Sequence, residues 1–87
     1  MEQKVGGYTE YRKVTDEDLK VFHEVKFPEG VGYTPKEVAT QVVNGINYQF
    51  KCIKKVVAPG AKEEDVIILI HKPNQGEAKL MEIIPAN

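Results

Sequence analysis

The chain has no tryptophan and a single cysteine, Cys52, so an intrachain disulfide is excluded. Small secreted domains usually rely on several such bridges, and their absence here points to a reducing, cytoplasmic setting. Long apolar runs are missing too. The longest, Val66 to Ile70, falls far short of a membrane span. The opening "MEQKVGGYTE" has no apolar core of the kind a signal peptide carries. Neither sign of charge dominates, because 12 basic and 13 acidic residues leave a net charge of −1. No stripe of lysine or arginine stands out. Nucleic acid and anionic membranes are therefore not expected partners, since both need that electrostatic drive.

What is present is enough for one core. The 87 residues are 41% apolar, which suits a single small domain spanning 1–87 and is too much for disorder. Residues Gly7 to Lys13, "GYTEYRK", read as a first strand. "VTDEDLKVFHEVKF" then reads as a helix of about twelve residues. Thr15 is its expected N-cap, and Asp16, Glu17 and Asp18 put negative charge where the helix dipole favours it. Val14 and Leu19 stand at the positions of a hydrophobic staple. Leu19, Phe22 and Val25 form the apolar stripe, with Val21 at its margin. Pro28 ends the helix.

Alternation takes over further on. "YTPKEVATQVV" leads into Asn44-Gly45, the strongest short signal for a tight hairpin, because both residues tolerate positive φ. Ile46, Tyr48, Phe50 and Cys52 then share one face of a strand, and Asn47, Gln49 and Lys51 the other. The pattern breaks at "IKKVV", which predicts a bulge or a change of exposure near Ile53. "VIILIHK" is apolar on both faces and belongs inside the sheet or under the helix. "PNQGE" is a turn, and "AKLMEII" a last strand. The expected class is α+β, one short helix packed on a four- to five-stranded antiparallel sheet.

A meander of this kind places alternate turns at the same end. The Asn44-Gly45 hairpin and the Pro73-Asn74 turn are separated by one opposite-end connection, so they are expected side by side. An antiparallel first strand brings the N-terminal leader to that end as well. The hairpin is unusual there, since Val42 and Val43 point to opposite faces and cannot both be buried. Gly6-Gly7 would let backbone lie flat against another surface.

Little is equipped for chemistry. Cys52 with His23 or His71 would make a thiol nucleophile and base, but Cys52 falls on the inward face, where structural cysteines sit. Solvated side chains account for both histidines. No zinc-ligand spacing and no phosphate loop are visible, so no cofactor is expected.

"QVVNG", Gln41 to Gly45, resembles the Gln-x-Val-x-Gly pattern of the cystatin superfamily, inhibitors of papain-like cysteine proteases. The similarity continues through "NGINYQFK". Gly6-Gly7 stands where these inhibitors carry an N-terminal glycine, and Pro73 where their second hairpin is expected. Lack of disulfides and of an evident leader is similar to the stefin branch. The Pro-Trp pair of the secreted branch is replaced by Pro73-Asn74, and the helix is shorter than in relatives.

The resemblance implies a cystatin-like fold and a reversible, non-covalent inhibitor rather than an enzyme. It implies a wedge of three segments: Val5, Gly6 and Gly7 of a flexible trunk (1–7) along the non-primed subsites, Gln41, Val42, Val43, Asn44 and Gly45 facing the catalytic pair, and Pro73 and Asn74 on the primed side. The partners implied are papain-like proteases such as cathepsins. A monomer is expected, with strain at Val42-Val43 offering a route to a domain-swapped dimer. A non-inhibitory interaction module on the same fold is the rival reading.

Overall fold

The computed structural model describes residues 7–86. Its elements are β1 (Arg12–Lys13), α1 (Asp16–Glu24), β2 (Val31–Val43), β3 (Gly45–Val56), β4 (Glu64–Lys72) and β5 (Lys79–Pro85). The strands form one antiparallel sheet in the order β1-β2-β3-β4-β5. One short helix on a five-stranded antiparallel sheet is the α+β arrangement the pattern predicts.

Several boundaries differ from the sequence reading. The first strand is only Arg12–Lys13, although Thr9 N–H still reaches the Thr40 carbonyl at 2.8 Å. Helix α1 has nine residues rather than twelve and stops at Glu24, four residues before Pro28. Its N-terminus is as expected and more heavily tied. Asp18 N–H donates to Thr15 Oγ1 at 3.3 Å, and Thr15 N–H donates back to Asp18 Oδ2 at 2.9 Å, a reciprocal capping box. Arg12 adds two bonds to the same carboxylate, at 2.6 and 3.2 Å.

That carboxylate turns the helix. Asp18, Val21, Phe22 and Val25 face the sheet, and Leu19 is only half-buried, so Val21 and not Leu19 belongs to the core stripe. Arg12 on the edge strand supplies the partner that makes a buried Asp18 tolerable. Phe22 then meets Phe50 at a ring-centroid distance of 5.0 Å, edge to face, in a core completed by Val38, Tyr48, Cys52, Val66, Ile68, Ile70 and Ala78.

Strand β2 reaches back through Pro35 to Val31. The break near Ile53 is a change of exposure, from buried Cys52 to exposed Lys55 and Val56, whereas the register shift lies in β2, between Pro35 and Glu37 and opposite Cys52 and Lys51. Proline has no N–H for the ladder, so the register slips there and Lys36 is the extra residue. Strand β3 runs unbroken to Val56.

The mismatch in length positions the candidate site. A nine-residue helix is roughly 14 Å long, whereas a thirteen-residue strand extends for roughly 40 Å. The β2–β3 hairpin therefore projects beyond the part that the helix covers.

Candidate functional site

Val42 shows the effect of this projection. It shares the helix-facing side with the fully buried Val38, yet 53% of its surface is exposed. It pairs with Ile46, which packs partly against the core. Val43 points the other way, pairs with Gly45 and is half-buried. Asn44 stands exposed at the very tip. Among the described residues no non-glycine adopts positive φ, and only Gly45, at +105°, supplies the reversal.

Gly45 is buried despite lying in a hairpin tip. A β-carbon there would fall 2.5 Å from the Lys72 carbonyl oxygen, 3.0 Å from Pro73 Cα and 3.1 Å from His71 Cε1. Glycine thus allows the first tip to nest directly against the backbone that begins the second turn. Asn74 Nδ2 donates to Asn44 Oδ1 at 2.8 Å, closing the gap between the two tips from outside. Pro73 is half-buried and Asn74 exposed. The two predicted loops form one continuous edge.

The leader approaches the same end. Thr9 N–H donates to the Thr40 carbonyl, and Thr40 N–H donates to Thr9 Oγ1 at 3.0 Å. This pairing directs the chain toward the hairpin tip as it is followed back to Gly7, which is half-buried. Val5 and Gly6 lie outside the described residues. The described segments, Gly7 included, share one end of the sheet.

Behind the tips run ties that sequence reasoning missed. Asn47 Nδ2 donates to Gln41 Oε1 at 2.6 Å, and His71 Nδ1 lies 2.7 Å from Asn47 Oδ1. With the Asn47 amide oriented this way, His71 Nδ1–H is the donor. The row joins β2, β3 and β4 on the face opposite the helix. His71 is therefore a bonded, half-buried member of the sheet rather than a solvated side chain, while His23 is exposed with its ring edge against Phe22. No sequence signal marks this row, because β2 and β3 carry several other polar residues on the same strands.

On the helix side, Glu24 accepts from Lys72 Nζ at 2.8 and 3.0 Å and from Ala78 N–H at 2.7 Å. Lys72 also donates to the Gly76 carbonyl at 2.9 Å. The Lys72 hydrogen bonds, with the Ala78 amide adding to them, hold the Glu24 carboxyl below the ordinary carboxylate range. The lysine nearest the tips is thereby neutralised by the helix.

The cysteine offers little nucleophilic character. Cys52 is buried, as the alternation predicts, and burial pushes its thiol up to about 12. Among the described residues no cluster of three metal-ligating side chains occurs, and no helix is long and apolar enough to cross a membrane. Comparison of the chain with protein-family models, curated proteins and solved structures finds no match.

Proposed function

We propose that the protein is a reversible, non-covalent inhibitor of papain-like cysteine proteases of the cathepsin and papain class. On this reading the molecule adopts a cystatin-like fold and fills the active-site cleft with its shared edge. Leader residues Val5, Gly6 and Gly7 lie along the non-primed subsites. Gln41 to Gly45 approaches the catalytic cysteine and histidine, and Pro73-Asn74 rests on the primed side. A cytoplasmic setting belongs to the same proposal and draws on the lone, buried cysteine.

One observation carries the reading: the nesting of Gly45 on Lys72–Pro73, with Asn74 bonded to Asn44. Two loops remote in sequence are welded into one blade, which is what entry into a groove requires. The side chains suit a dry cleft. Val42 can remove its exposed surface from water at roughly 25 cal/mol per Å². No uncompensated charge accompanies it, because Asn44, Gly45, Pro73 and Asn74 are neutral and Lys72 is paired to Glu24.

Inhibition follows from occupancy. The thiolate of the protease meets the tip of a closed hairpin and no presented scissile bond, while substrate is kept out. Pre-locked tips lose little conformational entropy on binding, so a standard interface of about 1,600 Å² can reach nanomolar affinity, about 12 kcal/mol.

Titration of papain or a cathepsin with the protein tests the proposal. The expected result is stoichiometric loss of activity that returns when the complex is diluted or the inhibitor displaced. Full protease activity at micromolar inhibitor would overturn it and leave the same edge to a partner without a catalytic thiolate.

A further inference from the structure

The helix does more than cover the core: its last residue touches the second turn. Glu24 closes α1, and its carboxylate binds Lys72 Nζ at the end of β4 and the Ala78 amide just before β5. The segment between these two anchors, 73–77, is the second turn itself. Lys72 in turn holds the Gly76 carbonyl from inside the loop. One side chain therefore grips both ends of the loop, and through the lysine its middle. Pro73 and Asn74 lie in this gripped segment, and through them the grip extends to Gly45 and Asn44.

Of these contacts only the Ala78 amide belongs to a core residue. Side chains of Glu24 and Lys72 remain about a third exposed, and the apolar packing of Phe22, Phe50, Ile68 and Ile70 lies elsewhere. A surface pair serving only stability would contribute little. Here the pair is joined by a charge-assisted backbone bond to Ala78 and aimed at a five-residue loop.

We infer that Glu24 is a positioning residue for the binding edge: through Lys72 and Ala78 it sets the pose of the second turn before any partner arrives. The inference rests on the inhibitor reading for its consequence, since a pre-set turn slows dissociation of the bound protease. It rests on geometry alone for its cause.

The experiment has two arms. In the first, the Ala78 amide resonance of the free protein is followed by NMR through an acid titration. It is expected to shift with a midpoint below that of an exposed glutamate, and in Glu24→Gln this titration disappears. An Ala78 amide indifferent to the Glu24 carboxyl overturns the inference whatever the protein inhibits.

The second arm measures dissociation of the papain complex for Glu24→Ala in the parent and in a Pro73→Gly background. Loss of charge-assisted bonds is expected to speed dissociation about tenfold in the parent. In the Pro73→Gly background, where the turn is already loosened, the further effect shrinks to less than about twofold. Glu24→Gln keeps an acceptor for Ala78 and falls between. Equal losses in both backgrounds would mean that Glu24 acts through general stability, and an unchanged rate in the parent would mean that it does not act at all. Failure of the parent itself to inhibit papain would defeat the functional proposal while leaving the NMR arm to decide the pose of the turn.

Discussion

Gly45 and Lys72, remote in sequence, are packed so closely that a β-carbon on the first would sit 2.5 Å from the carbonyl oxygen of the second. Gly45→Ala is therefore expected to push the two tips apart and to strain a backbone held at φ +105°. The cost to stability is about 1–3 kcal/mol, measured by urea denaturation. Protease affinity should fall by more than the folding loss alone explains, because the edge is split. An alanine variant with parental stability and affinity would mean that the tips do not nest.

Val42 offers the opposite combination. It is more than half exposed, so Val42→Asp should change stability by no more than about 0.5 kcal/mol. A carboxylate carried into a dry cleft is costly, and affinity for papain is expected to fall at least about a hundredfold. Denaturation curves and inhibition constants from the same preparation separate the two effects.

Gly6→Glu probes the proposed role of the leader, in which glycine backbone lies against the protease with no side chain between them. Faster dissociation is expected with little change in association rate, since steric crowding acts on the closed complex. Inhibition of papain equal to the parent's would remove the leader from the site.

Acid should loosen the junction between helix and edge strand. Burial alone would raise the Asp18 carboxyl, but hydrogen bonds from Arg12 and Thr15 outweigh it and hold the group below its ordinary value. A carboxylate depressed in the folded state contributes fully above its unfolded pKa of about 3.9, and that contribution disappears as pH falls through the lower folded value. Denaturation midpoints should decline below about pH 4 for the parent and less steeply for Asp18→Asn, which starts about 1–2 kcal/mol less stable.

Cys52 provides a readout of opening. With its thiol at about 12, the native thiolate fraction at pH 8 is on the order of one in ten thousand, and the sulfur is also buried. Iodoacetamide should leave native protein untouched and label it promptly in denaturant. Rapid labelling of the native state would reopen a role for the thiol in chemistry.

Local signals were legible where a few adjacent residues decide the outcome. Thr15 with its acidic first turn, the inward set Tyr48, Phe50 and Cys52, and the shared end of the two turns all follow from neighbours and period. Long-range partners were not. Asp18 looks like an exposed first-turn acid until Arg12 is folded beside it, and that pairing is what buries Val21 in place of Leu19. Proline at position 35 argues against a strand, yet an edge-facing bulge absorbs it. Glu24 and Lys72 are ordinary charges in the sequence, and only the sheet brings them together across 48 positions. At the candidate edge, the tips could be named from their motifs, while the ties behind them, Asn47, His71 and Glu24, could not.

A brief helix against a long ribbon divides the labour of the chain. Phe22 and Phe50 keep the domain closed at one station along the hairpin, and Val42 and Asn74 meet the outside world at another. Exchanging Val42 should leave the fold's thermodynamics nearly untouched, so on the inhibitor proposal a lineage carrying this architecture can change target by drift at that edge, provided Gly45 stays.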